Sequence, residues 1–124
     1  MFAKDTFREL SGHMHFLTER DKVLAGNIAN VDTPSYKPKD IKKNDDFSSA
    51  LEMKTTSPMH IKSNPGVTYQ PFESEILELK PNGNAVTVEH EMMKKSVNAT
   101  ELQQTANIYQ KARNMLKTSI VGIR

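Results

Sequence analysis

The chain has 124 residues, of which only 36% are hydrophobic, so it supplies less apolar surface than a domain of this length ordinarily buries. We therefore expect an extended or helical protein that completes its core with partners. Its net charge of +2, without a clustered basic excess, argues against a dedicated nucleic-acid surface, and the absence of cysteine excludes disulfides, thiolate metal sites and cysteine nucleophiles.

The six prolines all lie between positions 34 and 81 and divide the chain into three parts. Because proline removes a hydrogen-bond donor and clashes inside a helix, the middle part cannot be one continuous helix. We predict an N-terminal helix within residues 1–33, an extended or irregular segment with possible short strands over residues 34–84, and a C-terminal helix within residues 85–124. The fold class is mainly α.

Apolar residues in the N-terminal part recur at alternating steps of four and three, which is the seam of a heptad repeat. Thr6 and Glu9 have capping-box spacing, so the helix is expected to begin near Thr6. It should end before Pro34, because proline disfavours the helical conformation of the residue before it. The seam residues are Ala3, Phe7, Leu10, Met14, Leu17, Leu24, Ile28 and Val31, with Asp21 as the one polar position in the series.

The middle part is polar and has too few large apolar residues for a core of its own. Residues 46–51 fit a short helical turn, residues 54–66 fit a loop, and residues 67–70 and 75–79 fit short strands. We expect this segment to be extended or to form a small β element packed beside the helices.

The C-terminal part repeats the heptad pattern after a turn signal at residues 82–84. Thr87 is a plausible N-cap, Glu89 and Glu91 suit the first turn, and Gly122 suits the end. Ile108 and other apolar residues widen the stripe, which favours contact with more than one neighbour. The predicted seam consists of Ala85, Val88, Met92, Ala99, Leu102, Ala106, Tyr109, Leu116, Ile120 and Ile123, with Lys95 and Arg113 as charged positions.

No arrangement of residues typical of an enzyme is found. His13 and His15 are two positions apart on a predicted helix, so they point to different faces and cannot chelate one ion. The lysines of residues 37–43 are interrupted by Asp40, and the isolated glycines form no phosphate-binding loop. We expect no catalytic residue, cofactor, metal, nucleic acid or small-molecule substrate.

No apolar run approaches the roughly 20 residues of a membrane span. The first residues also lack the apolar core and cleavage site of a secretory signal peptide. A cytosolic location is therefore the default expectation, unless another export route serves the chain.

The most distinctive stretch is LAGNIANVDTPSYK, residues 24–37. Asn27 and Asn30 lie three apart on the face beside the seam, where their amides can satisfy terminal carbonyls or bond to a neighbouring chain. Around them, Leu24 and Ile28 continue the seam, Asp32, Thr33 and Pro34 form a sharp turn, and Tyr36 can pack over the helix exit.

This stretch resembles the N-terminal signature of bacterial flagellar axial proteins, the family of rod, hook and hook-associated proteins. Ser35 stands where the family usually has glycine, so the turn either does not need a positive φ or tolerates one. Gly26 stands where the family usually has a polar residue. The matching residues are Leu24, Asn27, Ile28, Ala29, Asn30, Asp32, Thr33, Pro34, Tyr36 and Lys37.

The short chain has no room for the large insertions of hook, distal-rod and hook-associated members, so the short proximal-rod types remain. Residues 84–92, 106–110 and 115–120 resemble a proximal-rod protein of the basal body. The resemblance covers both ends of the chain, whereas the middle aligns only loosely. The alternatives are another short rod protein or, in a different class, a helical-hairpin export chaperone or adaptor.

The resemblance implies that the two terminal helices form a hairpin or coiled coil and pack with neighbours into a helical tube. It implies a structural role in the proximal rod, which transmits torque from the membrane ring to the distal rod and hook. The implied partners are copies of the chain, other rod proteins, the rod-to-ring adaptor protein, the membrane ring and the export gate. The implied location is the periplasmic rod, reached by flagellar type III export without a cleaved signal peptide, and the lack of cysteine suits that compartment.

From the seams and the signature we expect a set of subunit-interface residues. Leu10, Leu17 and Ile28 are expected to dock on Leu102, Tyr109 and Leu116, within or between subunits. The full set is Leu10, Leu17, Leu24, Asn27, Ile28, Asn30, Asp32, Thr33, Pro34, Tyr36, Leu102, Tyr109, Leu116 and Ile120.

Overall fold

The computed structural model describes residues 2–43 and 69–122. Two long helices, α1 (Phe2–Ala29) and α2 (Val88–Val121), flank a two-stranded antiparallel sheet of β1 (Lys39–Lys43) and β2 (Tyr69–Glu73). This confirms the mainly α fold with a small β element in the middle. The helical turn predicted over residues 46–51 and the loop over residues 54–66 lie outside the described residues.

Helix α1 begins at Phe2, so the predicted start near Thr6 is wrong. Good helix formers precede Thr6, and Asp5 in the first turn interacts favourably with the helix dipole. A capping-box spacing therefore does not mark the start here. The helix ends at Ala29, before the predicted stop signal at Pro34.

The two helices run antiparallel and form a hairpin within one chain. The ring of Phe7 meets the ring of Tyr109 edge-on, with centroids 5.2 Å apart, and Asn27 near the other end of α1 bonds to Glu91 in the first turn of α2. Leu17 and Leu24 are the buried apolar residues of α1. Other members of the predicted α1 seam, namely Phe7, Leu10, Met14, Ile28 and Val31, are partly buried, whereas Ala3 is exposed.

The predicted seam of α2 is correct at only some of its positions. Val88, Leu102 and Tyr109 are partly buried, as is the charged position Lys95. The fully buried positions, however, lie one residue before the predicted ones and are polar. Glu91, Asn98 and Thr105 are buried, whereas Met92 and Ala99 are exposed.

The physical reason is that the buried polar side chains find hydrogen-bond partners. Asn98 donates its amide to the backbone carbonyl of Leu17 at 2.9 Å, and Thr105 donates its hydroxyl to the carbonyl of Glu101. A hydrogen-bonded polar group can occupy a helix interface at little cost. The side-chain oxygen of Asn98, by contrast, is buried and accepts no hydrogen bond from the described part of the chain. Apolar periodicity alone assigns such positions to the surface, so the prediction placed the seam on the wrong residues.

The sheet pairs Lys39 with Glu73 and Lys43 with Tyr69. The strand predicted over residues 67–70 is confirmed from Tyr69 onward, and its first two residues lie outside the described part of the chain. The strand predicted over residues 75–79 is wrong. The Ser74 amide bonds to the Pro38 carbonyl just before β1 begins, and residues 75–79 pair with no further strand within the described part of the chain.

Two turns meet beside the end of α1. Ser35 has φ 59° and Gly83 has φ 79°, and the Ser35 amide donates to the Asn82 carbonyl at 3.1 Å. The Ala85 amide donates to the Tyr36 carbonyl at 3.0 Å, which continues the contact. The position that carries serine therefore does have a positive φ, and serine tolerates it.

Both ends of α2 lie at the residues that the sequence predicts. Thr87 is the N-cap residue, but its side chain makes no capping hydrogen bond. Gly122 is the C-cap residue and donates its amide to the Thr118 carbonyl. Neither of the described helices is both long and apolar enough to cross a membrane.

Gly83→Ala is expected to lower the free energy of unfolding by about 1–2 kcal/mol, because a left-handed φ is unfavourable for alanine. The new Cβ would also lie 3.0 Å from the Ser35 hydroxyl oxygen. Urea denaturation followed by circular dichroism measures the change. Gly26→Ala is the control, since a Cβ there meets nothing within 4 Å; equal stabilities of the two variants would contradict the prediction.

Candidate functional site

The signature asparagine Asn27 is completely buried and joins three parts of the chain. Its amide nitrogen donates to the Lys39 carbonyl and to Oε2 of Glu91, both at 2.7 Å. Its carbonyl oxygen accepts from the Lys39 amide at 2.9 Å and from the Tyr36 hydroxyl at 3.3 Å. One side chain thereby ties the end of α1 to the start of β1 and to the first turn of α2.

Glu91 extends this network from α2 to the end of the sheet. The side chain is only 2% exposed, and its Oε1 accepts from Nζ of Lys94 at 3.0 Å. The same ammonium donates to the hydroxyl of Ser74 at 2.6 Å, just after β2. A buried carboxylate is costly unless it is paired and hydrogen-bonded, and this one is both.

A second asparagine, Asn84, closes the end of α1. Its amide donates to the carbonyls of Asn30 and Thr33 at 2.9 and 2.7 Å, and its side-chain oxygen accepts from the Val86 amide at 2.9 Å. Helix ends leave backbone carbonyls without partners, and Asn84 supplies partners from the segment that leads into α2. Asn30 contributes locally by donating to the Gly26 carbonyl at 2.7 Å.

An ion pair and an aromatic cluster hold the sheet against α1. Arg20 forms two hydrogen bonds to the carboxylate of Asp40, each with a nitrogen–oxygen distance of 2.9 Å. Hydrogen bonding to this carboxylate is the main reason that the pKa of Arg20 is raised. At the other end of the sheet, Tyr69 packs on His15 and Phe16 with centroid distances of 5.8 and 5.4 Å. Burial in this contact raises the pKa of the Tyr69 hydroxyl.

Two of the three charged positions in the predicted seams, Asp21 and Lys95, pair with each other. Nζ of Lys95 lies 2.7 Å from Oδ1 of Asp21. A negative charge in one predicted seam and a positive charge in the other are visible in the sequence and indicate an ion pair between the two helices. Together with the Asn98 bond to Leu17, this pair sets the register of the helices with directional contacts.

We call residues Asn27, Asn30, Tyr36, Asn84, Glu91 and Lys94 the polar junction. The sequence pointed to Asn27, Asn30 and Tyr36 through the signature. It did not point to Asn84, Glu91 or Lys94 as a site, because Asn84 reads as part of a turn, Glu91 reads as a first-turn charge, and no pattern singles out Lys94. An asparagine after a turn signal and a glutamate one position away from an apolar seam were the available, but weak, signals.

The remaining predicted residues divide into internal and exposed positions. Since Phe7 lies opposite Tyr109 and α1 starts at Phe2, the helix pair extends only to about Asn114 of α2 by the antiparallel pairing. Leu116 and Ile120 therefore lie beyond the start of α1. Leu10, Leu17, Leu24, Ile28, Leu102 and Tyr109 are buried or partly buried, whereas Asp32, Thr33, Pro34, Leu116 and Ile120 are exposed.

The side of α2 away from the junction contacts carries a second apolar stripe. Met93, Val97, Ile108 and Met115 are exposed, and steps of four, eleven and seven residues keep them on one face. Two shallow depressions on α2 are lined in part by Val97 and by Met115. Among the residues that the structure describes, no group of three potential metal ligands is found.

Several known proteins are similar in sequence to the chain. The chain is 31% identical over 121 residues to the flagellar basal body rod protein FlgB of Bacillus subtilis (strain 168), with 94% of each chain covered. It is 34% identical over 89 residues to FlgB of Aquifex aeolicus (strain VF5), and the match covers 64% of each chain. It is also 34% identical over 106 residues to FlgB of Aeromonas hydrophila, and that match covers 73% of this chain and 76% of the relative. Models of known protein families give no match to the chain.

Asn27→Ala is expected to lower the free energy of unfolding by about 2–4 kcal/mol, because it removes the hydrogen bonds of Asn27 to Oε2 of Glu91 and to the backbone amide and carbonyl of Lys39. Chemical denaturation at neutral pH measures the loss. Asn107→Ala, on the exposed surface of α2, is the matched control and should be neutral or slightly stabilising. A loss for Asn27→Ala no larger than that of the control would show that the junction does not stabilise the fold.

Asp40→Ala is expected to cost about 2–3 kcal/mol, because it leaves the half-buried Arg20 unpaired and removes an acceptor for the Ile41 amide. Hydrogen exchange of the Ile41 amide should accelerate more than that of Asn98, which lies in α2. The exposed pair of Lys37 and Glu73 provides the control: Glu73→Gln should change stability by about 0.5 kcal/mol or less. Equal effects of the two substitutions would contradict the role of the Asp40 contact.

Proposed function

The chain belongs to the FlgB family of flagellar basal body rod proteins, and we propose that its exposed helix faces bind neighbouring subunits in the proximal rod. The protein is a structural component of the flagellar basal body that assembles with other rod components. We propose that it acts only structurally, as one of the subunits through which torque passes from the membrane ring to the distal rod and hook.

The observation that carries this proposal is the position of the apolar residues. Within the described residues, the fully buried hydrophobic side chains are Leu17, Leu24, Ile41, Ala85 and Val86. Many other large hydrophobic side chains, including Met93, Val97, Ile108 and Met115, remain exposed on α2. Exposed apolar side chains that recur along one face of a helix are typical of an interaction site, so this face of α2 is available to bind a second helix.

The polar junction supports the proposal in a different way. A subunit that transmits torque has to keep the angle between its elements under load. Asn27, Asn84 and Glu91 connect both helices and the sheet through short, buried hydrogen bonds, which are directional and therefore resist rotation of one element against another. We propose that the signature residues hold the shape of the subunit, while the exposed faces hold the subunit in the rod.

We propose copies of this chain, other rod proteins, the rod-to-ring adaptor protein, the membrane ring and the export gate as the specific partners. The exposed signature residues Asp32, Thr33 and Pro34, together with Leu116 and Ile120, are proposed contacts with those partners. We also propose that the chain reaches the periplasmic rod through the flagellar export apparatus without a cleaved signal peptide. The absence of cysteine is consistent with function in that oxidising compartment.

Leu116→Asp is expected to prevent incorporation into the rod while leaving the monomer folded, because Leu116 is 40% exposed and lies beyond the start of α1. The test is complementation of a strain of the source organism that lacks the gene, with swimming and basal bodies scored. Gln110→Asp, also exposed on α2, is the control and should support motility. Normal basal bodies with Leu116→Asp would contradict an assembly role for this end of α2.

A further inference from the structure

One end of the hairpin carries an extended segment with acidic and apolar side chains. We call residues 75–79, sequence EILEL, the acidic ridge. Ile76, Leu77 and Leu79 are all largely exposed, with Leu79 at 66%, and Glu75 and Glu78 form no ion pair with any residue that the structure describes. The ridge therefore offers apolar surface and unneutralised negative charge together.

Backbone bonding holds the acidic ridge only at its two ends. The Ser74 amide donates to the Pro38 carbonyl, and the Lys80 amide donates to the Asn84 carbonyl, both at 2.9 Å. Between them, the ridge makes no backbone hydrogen bond to the rest of the described chain. An extended segment that is anchored at both ends has a defined shape, so binding it costs little additional ordering.

The opposite end of the hairpin carries the complementary chemistry. We call residues 111–122 the basic overhang, because much of this segment extends past the first residue of α1. Met115 is 68% exposed and Ile120 is 74% exposed. The positive charges Lys111, Arg113 and Lys117 have no ion pair among the described residues, and no acidic residue follows Glu101 in the chain.

The two surfaces are too far apart to meet in one molecule. Lys94 bonds to Ser74 at the edge of the acidic ridge. From Lys94, Thr118 lies 24 positions further along α2, which is roughly 36 Å at the rise of an α-helix. Because they are different surfaces at opposite ends, their contact joins copies head to tail. Such a head-to-tail contact continues as a helical filament when the rotation between copies does not close into a ring.

We propose that the basic overhang of one copy binds the acidic ridge of a second copy, and that this contact sets the axial order of these subunits. The inference rests on the proposed function, since it specifies one of the contacts by which the rod is built. A second copy is the occupant because this chain carries both the opposite charges and the matching exposed apolar residues. Apolar contact supplies the buried area, and the charges select the orientation of the two copies.

Charge reversal on the purified full-length chain tests the orientation. Glu78→Lys should weaken self-association on the order of tenfold in sedimentation velocity, because it places like charges together, and Lys117→Glu should do the same. The double variant E78K/K117E should regain association, since each contact then has opposite charges again. Glu89→Lys is the matched control, because Glu89 is an exposed glutamate outside both surfaces, and should associate like the unmodified chain.

Cysteine cross-linking tests the contact itself, and the chain has no cysteine of its own. A mixture of Leu77→Cys and Ile120→Cys chains should give a mixed disulfide-linked dimer on mild oxidation. A mixture of Leu77→Cys with Gln103→Cys, which lies outside both surfaces, should give much less.

The outcomes separate this proposal from the proposed function. Failure of the double variant to recover, or equal cross-linking with the control cysteine, overturns the head-to-tail contact. If Glu78→Lys blocks rod assembly in cells but leaves self-association unchanged, the ridge binds another rod protein and a second copy is the wrong occupant. Formation of complete basal bodies in a strain without the gene would overturn the proposed function itself.

Discussion

The fold depends on the buried side chain of Asn27, in which each polar atom is matched by partners from other elements. Its two donors and its oxygen reach the backbone of Lys39, the hydroxyl of Tyr36 and the carboxylate of Glu91. An amide can do this because it carries donors and an acceptor on one rigid plane. The start of β1 and the first turn of α2 are therefore placed relative to α1 by a single residue.

Polar contacts also determine how the two helices are aligned. The pair of Asp21 and Lys95 and the bond from Asn98 to the Leu17 carbonyl lie along the interface. The bond of the buried Asn98 discriminates between registers, because a shifted register would leave its amide nitrogen unpaired as well. The side chains of Asp21 and Lys95 are each 39% exposed, so their ion pair contributes less. Because polar contacts align α1 and α2 within the subunit, the exposed apolar side chains of α2 remain available for contacts with other subunits.

This arrangement accounts for the low apolar content of the chain. Most of the large apolar side chains in the second half of α2 and in residues 72–79 are exposed in the single subunit. A subunit that is covered by neighbours on several sides does not need a large core of its own. Its hydrophobic burial is completed on assembly, so the stability of the single chain and that of the rod rest on different residues.

The sequence by itself determined the existence of both helices, the broken middle and the family. Prolines and heptad spacing act locally, so their effects can be read without knowing what lies nearby. The signature around Asn27 can also be recognised from the sequence, because its residues are contiguous.

Only the tertiary structure decided which side of α2 faces α1, and that Glu91 and Asn84 complete the junction. Those outcomes depend on hydrogen bonds between residues more than 50 positions apart, and the apolar pattern favoured a different face. Glu91 and Asn84 are buried where distant partners hydrogen-bond to them, and the positions of those partners exist only in the folded chain.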